Sequence, residues 1–369
     1  MSRRYGNIAM NPMIRAATLG LCLLFSCVAY AQDKIGVIAP LSGSFARLGS
    51  QLVDGVNVAV SGNKQGQDIG VVTADDKCDA AGGAAAAREM VLANATIVIG
   101  FLCAESLETA LPILSQKGIA VITPGVRDQT LTELRAETPY QVFRIAPSER
   151  NAARETGDLL AGIWRSSPFA IIDDGTIFGR EIASAVRARL EEKRLKPVFT
   201  DTYRPGLDNQ NALIARLKRA GATQVFIGGE RDDVVAIGRS AAALNYPLTI
   251  VGGETLNAIT NGSDLSVGTV MVAPVDPATL ESARNAKNAI ELAGKVPEGY
   301  TVPAYAAAEV AIQLLTTAQA QAASLADLLR KNVFDTAIGP VQFDAHGERI
   351  ADTLRLQRYD GKQFVQETK

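Results

Sequence analysis

Short apolar runs rich in β-branched residues alternate along this chain with stretches of helical spacing. Four runs in the first third are predicted as strands, at 35–39, 69–73, 96–100 and 119–123. The stretches between them are predicted as helices, at 49–61, 80–92 and 106–116. Strands that are apolar throughout, and not only at alternate positions, are typical of a parallel sheet that helices cover on both faces. The pattern therefore predicts an α/β fold built on parallel sheets.

A second set of helices and strands of about equal size follows the first. Its helices are expected at 151–164 and around Ile182, Val186 and Leu190, which recur at i, i+4 and i+8 on one helix face. Its strands are expected at 169–172, 197–201, 224–228 and 248–252. The chain of 369 residues is long enough for two cores, so the two sets indicate two similar lobes.

The last hundred residues are mostly of helical spacing. Helical stretches at 279–292, 303–318 and 324–331 follow a strand expected at 267–275, and a β tail with a turn at 360–361 ends the chain. We expect these late helices to return to the first lobe, so that several segments cross between lobes, as in a hinged cleft. The predicted N-terminal lobe is 32–146 plus 274–338, and the predicted C-terminal lobe is 147–273 plus 339–369.

The first 31 residues have the pattern of a secretory signal peptide. Three arginines precede an apolar run at 16–28, and a small-x-small sequence follows at 29–31. We therefore expect export to the periplasm with cleavage after Ala31, which leaves a soluble, monomeric mature chain. A lipoprotein signal with Cys27 as the lipidated residue is the alternative, but the bulky Phe25 close to that cysteine disfavours it.

The cysteine and histidine counts limit the chemistry of the chain. Of its four cysteines, Cys22 and Cys27 would leave with the signal peptide. Cys78 and Cys103 would most simply form a disulfide in an exported protein, and two free thiols are the alternative. A zinc site would need two more ligands, which the single histidine, His346, cannot supply. We therefore expect no metal site.

Charge and motif content exclude further classes of function. The 37 Lys and Arg residues and 39 Asp and Glu residues give a formal net charge of −2, so no basic surface is available for nucleic acid. The sequence has no G-x-S-x-G elbow, no G-x-x-x-x-G-K-[ST] loop and no G-x-G-x-x-G after a strand. Acidic pairs such as Asp173-Asp174 are more often turn or cap residues than a general acid and base. We expect no cofactor and no enzymatic activity.

A series of short motifs runs in order along nearly all of the chain after residue 31. The motifs are APLSG at 39–43, DDKCD at 75–79, GFLC at 100–103, VITP at 121–124, FR at 143–144, FG at 178–179, GG at 228–229, GGE at 252–254 and GPVQFD at 339–344. This ordered set resembles the leucine/isoleucine/valine-binding proteins, the periplasmic receptors of branched-chain amino-acid ABC importers. The resemblance implies two Rossmann-like lobes with parallel sheets, joined by three hinge crossings, as in type I periplasmic binding proteins. We place the crossings near 144–148, 272–277 and 336–341.

The resemblance implies ligand-binding roles at the strand ends of the first lobe. Ala104 stands where the family often has a serine that holds the ligand carboxylate, so only its backbone donor remains. Glu105 is then either a polar group of the cleft or an acid favoured at a helix start. Gly125 lies in a turn that supplies backbone groups, and Arg127, in place of a threonine, would either bind a carboxylate or pair with a surface acid. Leu48, at a frequently aromatic position, would line the same side.

The resemblance also implies three binding residues in the second lobe. Phe178 matches an aromatic wall that contacts the ligand, against the alternative of an ordinary loop residue. Glu230 stands where relatives that bind aliphatic amino acids often have a tyrosine. Glu254 matches the family acid that receives the ligand ammonium, against the alternative of a solvated loop glutamate.

The departures from the family at Ala104, Arg127 and Glu230 change the charge and the size of the predicted pocket. We therefore expect the ligand to be an amino acid or a small organic acid that is more polar than leucine. The resemblance further implies that ligand stabilises closed lobes, which a membrane permease of an ABC importer then recognises. A ligand sensor on the same fold, signalling to a receptor or regulator, is the alternative.

Overall fold

A computed structural model describes residues 32–63, 68–128, 138, 140–147, 149–258, 264–321, 324–351 and 353–367. The predicted signal peptide at 1–31, with its cleavage site and Cys27, lies outside these residues and stays a prediction. None of the described helices combines the length and the hydropathy that a membrane span requires.

The first lobe is built on a parallel sheet of five strands. The strands are β1 (Lys34–Ala39), β2 (Gly70–Asp75), β3 (Ile97–Gly100), β4 (Ala120–Thr123) and β5 (Val142–Arg144), in the spatial order β2-β1-β3-β4-β5. The helices between the first four strands are α1 (Ala46–Ser61), α2 (Ala80–Leu92) and α3 (Ala104–Ser115). The four predicted strands are confirmed to within two residues at each end. Strand β5 was not predicted, because three residues are too few to show a period.

The second lobe is built on a sheet of seven strands in the order β12-β11-β10-β9-β8-β6-β7. The strands are β6 (Phe169–Asp173), β7 (Phe199–Thr202), β8 (Gln224–Gly228), β9 (Thr249–Gly252), β10 (Val270–Pro274), β11 (Leu354–Tyr359) and β12 (Phe364–Gln366). Strands β6 to β10 pair in parallel, and β11 pairs antiparallel with β10 and β12. The helices of this lobe are α4 (Glu149–Ile163), α5 (Ile177–Glu192), α6 (Asn211–Ala220) and α7 (Arg231–Ala243).

Three late helices pack on the first sheet. They are α8 (Arg284–Leu292), α9 (Thr301–Gln321) and α10 (Leu325–Lys331). Side chains such as Ile290, Leu314 and Leu329 share one hydrophobic core with β1 and β3. The first of these helices begins later than predicted, because two 3₁₀ turns occupy 277–279 and 281–283.

Within the described residues, the chain passes between the lobes three times. The first passage follows β5 and the second follows β10, near the crossings expected at 144–148 and 272–277. The third crossing was expected at 336–341, but Val341 and Phe343 lie in the first-lobe core. The Phe343 ring packs edge-on against Phe143, with centroids 5.3 Å apart. The chain therefore crosses to the second lobe after Arg349. The sequence did not indicate this position, because the backbone around Phe343 is irregular and shows no strand period.

The predicted disulfide between Cys78 and Cys103 is present, with the two Cα atoms 5.4 Å apart. It joins the loop after β2 to the residue that precedes α3. Asp76 also joins the loop after β2 to the first turn of α3, because its carboxylate accepts hydrogen bonds from the Cys78 N–H at 3.1 Å and from the Ser106 hydroxyl at 2.8 Å. Burial raises the pKa of Asp76.

We expect the double variant Cys78→Ala/Cys103→Ala to be less stable by roughly 3–4 kcal/mol, the chain-entropy value for a closed loop of this size. Urea unfolding followed by circular dichroism measures the difference. A reducing agent should lower the stability of the wild-type protein by a similar amount and leave the variant unchanged. Equal stability of the two proteins without reductant would contradict the expectation.

Glu309 on α9 is an acid in an apolar setting. Burial raises its pKa from 4.5 to about 7, although its carboxylate accepts a hydrogen bond from the Ala337 N–H at 2.6 Å. Because the folded state disfavours the charged form, this group lowers the stability of the fold as the pH rises from the unfolded-state pKa through the folded-state pKa.

We therefore expect Glu309→Gln, which keeps the acceptor and removes the charge, to raise the melting temperature at pH 8. The gain should vanish at pH 4, where Glu309 is protonated in both the folded and the unfolded state. Melting curves at several pH values measure it, with the exposed Glu281→Gln as a control that should show no such gain. A gain that does not depend on pH would contradict the assignment.

Candidate functional site

A cavity of about 410 Å³ lies where the carboxyl ends of the second-lobe strands face the first lobe. We call it the cleft cavity, and its lining residues are Arg127, Ala152, Ala153, Thr156, Phe178, Glu181, Ile182, Ala185, Ile227, Gly228, Gly229, Gly253, Glu254, Thr255, Val272, Pro274 and Leu354. They come from α4 and α5, from the ends of β8 and β9 with the loops that follow them, from β10 and from the start of β11. Most of the wall is apolar. Arg127 is the residue by which the first lobe lines this cavity.

Arg127 and Glu254 form an ion pair at this cavity, although they belong to different lobes. The Arg127 Nη1 atom lies 2.5 Å from the Glu254 Oε1 atom. The pair joins the loop after β4 to the turn after β9 and so spans the cleft. The side chains are 32% and 47% exposed, so water screens the attraction and the pair stabilises this arrangement by ~0–1 kcal/mol.

The loop that carries Arg127 is held in place by the fully buried Arg144 of β5. The Arg144 guanidinium donates from Nη1 to the Val126 carbonyl at 2.9 Å and from Nη2 to the Asp128 carbonyl. The carbonyl groups on both sides of Arg127 are thereby fixed. The Arg144 Nε atom lies 3.2 Å from the Glu348 carboxylate, in the segment that precedes the third crossing.

The turn that carries Glu254 is fixed from the neighbouring loop of the second lobe. The Thr255 hydroxyl donates to the Gly229 carbonyl at 2.8 Å, which joins the loop after β9 to the loop after β8. The Arg231 Nη1 atom donates to the Leu256 carbonyl at 2.5 Å on the far side of the turn. These two bonds hold the turn that carries Glu254.

Phe178 lies in the first turn of α5 and lines the cleft cavity with a half-exposed ring. Thr176 caps this helix, because its hydroxyl oxygen accepts the Gly179 N–H at 2.9 Å. The same hydroxyl donates to the Asp174 carboxylate at 2.7 Å. Asp174 therefore serves the turn before α5, the capping role that the sequence favours for the pair at 173–174.

Behind the loop after β8 lie two buried polar groups, Tyr203 and Asp233. Burial raises the pKa of Tyr203, and the nearby carboxylates of Asp233 and Asp174 raise it further. Burial also raises the pKa of Asp233, although the Gly206 N–H donates to its carboxylate at 2.7 Å. Neither side chain lines the cleft cavity, so we assign both to the support of the loop.

The cleft cavity brings together three of the predicted ligand-binding residues, Arg127, Phe178 and Glu254. Gly125 lines a second cavity, between the crossings. A Cβ atom at Gly125 would come within 2.4 Å of Leu102 Cδ2 and 3.0 Å of the Phe101 carbonyl oxygen, so any larger residue would require the Leu102 side chain to move.

The other four predicted residues lie at helix starts and line neither of these two cavities. Leu48 lies in the first turn of α1 and is half-buried. Ala104 and Glu105 are the first two residues of α3, and the Glu105 side chain is exposed. Glu230 is the exposed residue that precedes α7, and its side chain forms no cap hydrogen bond. Their ligand-binding roles stay predictions.

Several residues of the site were not identified from the sequence. Thr156, Glu181 and Leu354 line the cleft cavity but lie outside the family motifs. The FR motif at 143–144 did mark Arg144, but nothing in the sequence reveals its contacts with carbonyl groups 16 and 18 residues away.

We expect Arg144→Met to destabilise the protein by about 3–5 kcal/mol, because it leaves the Glu348 carboxylate without its buried partner. Urea unfolding measures the change. Arg187→Met is the matched control, since Arg187 is half-exposed and lies 3.9 Å from its partner Glu191. A loss at Arg144 no larger than the loss at Arg187 would refute the anchoring role.

Comparison with known proteins places the chain in a family. The family model described as periplasmic binding protein matches residues 33–363. The chain belongs to the periplasmic binding protein family. The resemblance drawn from its motifs is thereby confirmed, and the chain is a binding protein of this family and not an enzyme.

Individual relatives of this periplasmic binding protein are similar to it in sequence or in structure over nearly the whole chain. The Leu/Ile/Val-binding protein homolog 3 of Brucella melitensis is 28% identical over 363 residues, which cover 95% of this chain and 96% of the relative. A structure from Rhodospirillum rubrum that is assigned to a branched-chain amino acid ABC transporter has a TM-score of 0.77 at 18% identity, covering 91% of this chain and 100% of that one. An ABC transporter substrate-binding protein from Desulfitobacterium hafniense, in complex with leucine, has a TM-score of 0.68 at 22% identity and the same coverage. These structures confirm the predicted fold class.

Proposed function

We propose that this protein is the extracytoplasmic substrate-binding protein of an ABC importer. It captures an amino acid, or a related small polar or carboxylate solute, in the cleft and delivers it to a membrane permease. The Leu/Ile/Val-binding relative from Brucella melitensis and the leucine complex from Desulfitobacterium hafniense support a ligand of the amino-acid class. The signal-peptide pattern at 1–31 supports a periplasmic location.

The observation that carries the proposal is the meeting of Arg127 and Glu254 at one cavity from opposite lobes. An amino acid has the complementary pair of charges. Its carboxylate would accept hydrogen bonds from the Arg127 guanidinium, which suits a bidentate pair, and its ammonium would donate to Glu254. Because the existing ion pair is weak, a ligand that satisfies both partners exchanges with it at little cost.

The rest of the cleft cavity suits the body of such a ligand. A volume of about 410 Å³ lies within the usual range for small-molecule sites. Phe178, Ile182 and Leu354 supply apolar surface for the ligand side chain. A cavity with an apolar wall and one charged pair can orient a ligand by its charged end.

We propose that the first lobe completes the site when the lobes close. The backbone N–H groups of Ala104 and Glu105, at the start of α3, can donate to a carboxylate, since the first turn of a helix has free donors. Leu48 and Gly125 on this side, and Glu230 on the other, approach the ligand in the same movement. Ligand then stabilises the closed form because only that form contacts it from both lobes.

We expect Glu254→Ala to weaken ligand binding at least tenfold while the fold stays intact, because the ligand ammonium loses its acceptor. A thermal-shift screen of L-leucine, the other L-amino acids and small organic acids selects the ligand. Calorimetry then measures its affinity for the variant, with circular dichroism as the test of folding.

Glu192→Ala is the matched control, because Glu192 is exposed at the far end of α5 and pairs with Arg189. Wild-type affinity in Glu254→Ala would refute the role of Glu254. The capture mechanism itself fails if no compound in the screen binds, or if small-angle scattering shows no compaction with a ligand that does bind.

A further inference from the structure

A second cavity, of about 460 Å³, lies among the three crossings between the lobes. We call it the hinge cavity. Its wall includes residues of the first crossing at 145–147, of the second at 274–277 and of the third at 349–355. It meets the cleft cavity at Arg127 and Pro274, which line both. The hinge cavity is therefore a separate space on the hinge side of these two residues.

The charged side chains that line the hinge cavity are all arginines. They are Arg127, Arg349 and Arg355, and no aspartate or glutamate lines the cavity in the part of the chain that the structure describes. Arg127 is paired with Glu254, and Arg355 donates to the Leu354 carbonyl at 2.7 Å. Arg349 is the arginine whose surroundings point to a ligand.

The Arg349 guanidinium is only partly satisfied by the protein. Its Nη2 atom donates to the Ile338 carbonyl at 2.9 Å. Its Nε atom is buried and has no hydrogen-bond partner among the described residues. Burial lowers the pKa of Arg349, which is the direction expected for a guanidinium without a close anion.

Glu155 is the acid whose charge raises the pKa of Arg349, but its hydrogen bonds go to other residues. Its Oε2 atom accepts hydrogen bonds from the Thr353 N–H at 2.8 Å and from the Leu354 N–H at 2.9 Å. These bonds hold the start of β11, and none of the described carboxylates forms an ion pair with Arg349. A half-buried guanidinium without a carboxylate partner is less stable than one whose charge an anion neutralises.

The chemistry that satisfies this group is that of an oxyanion. The guanidinium of Arg349 lines the cavity, and its terminal N–H groups are donors that match the oxygens of a carboxylate or a phosphate. Tyr300, Thr353 and Gln366 also line the cavity and carry hydrogen-bond donors for further oxygens. The volume is sufficient for a small organic anion as well as for inorganic phosphate.

We propose that the hinge cavity is a second binding site, in which Arg349 binds a small carboxylate or phosphate anion. The bound anion contacts segments of all three crossings, about which the lobes move. The proposal goes beyond the importer function and does not depend on the identity of the ligand in the cleft.

Calorimetric titration with inorganic phosphate and, separately, with citrate tests the proposal at constant ionic strength in chloride. We expect at least one of the two anions to bind to the wild-type protein, and Arg349→Gln to weaken that binding at least tenfold. Binding of citrate alone indicates a carboxylate site, and binding of phosphate alone indicates a phosphate site. Arg216→Gln is the control, because Arg216 pairs with Asp201 in the second lobe, outside the cavity, and should bind the anion as the wild type does.

Failure of both anions to bind would overturn the proposal, as would equal affinity in the wild type and Arg349→Gln. Should Arg349→Gln fail to fold, Arg349→Lys keeps the charge without the fork and should still weaken binding. Crystals of the wild-type protein grown with selenate supply a measurement that needs no variant. Where phosphate binds in the titration, a selenium anomalous peak within hydrogen-bond distance of Arg349 is expected, and a hinge cavity without that peak contradicts the site.

Discussion

Arg144 brings a positive charge into the interior of the first lobe, and the arrangement around the cleft follows from how that charge is satisfied. Its guanidinium binds the carbonyl groups of Val126 and Asp128 and the carboxylate of Glu348. A buried charge is tolerated only when it is paired and hydrogen-bonded, so these groups have little freedom to move independently. Arg127 extends from the loop that Arg144 holds, and Glu348 belongs to the segment that leads into the third crossing. The buried Arg144 side chain therefore links the loop that carries Arg127 to the segment that leads into the third crossing.

The parallel sheets explain why charges from distant parts of the chain meet at the cleft. Loops and helix starts gather at the carboxyl ends of parallel strands, and two sheets that face each other by these edges enclose a binding site. Arg127 follows β4, Phe178 follows β6 and Glu254 follows β9. The ion pair between the lobes is half-exposed and weak, which suits a contact that ligand binding replaces. The hinge cavity differs, because Arg349 is half-buried there and lacks a carboxylate partner among the described residues.

The regular elements of this fold could be predicted closely, and the irregular ones could not. The strand at 224–228 coincides with β8, because continuous burial in a parallel sheet leaves an unbroken apolar run. The third crossing was placed too early, because Val341 and Phe343 reach the first-lobe core through isolated bridges without any strand period. In the site, the family motifs led to Arg127, Phe178 and Glu254, whereas Leu354 was missed. It enters the cleft wall only because β11 lies beside β10 in the second sheet.

The amino-acid sequence by itself determined most of the order of strands and helices, the family and the cysteine pair. Each of these depends on local periodicity, on short motifs or on residue counts, which a chain carries before it folds. Tertiary structure alone decided that Arg127 meets Glu254, 127 residues away, and that Arg144 supports the loop that carries Arg127. It also decided that Arg349 lies half-buried beside the crossings, with its buried Nε–H group unsatisfied. The physical reason is that such contacts depend on how whole elements pack in space, and no local pattern of residues records that packing.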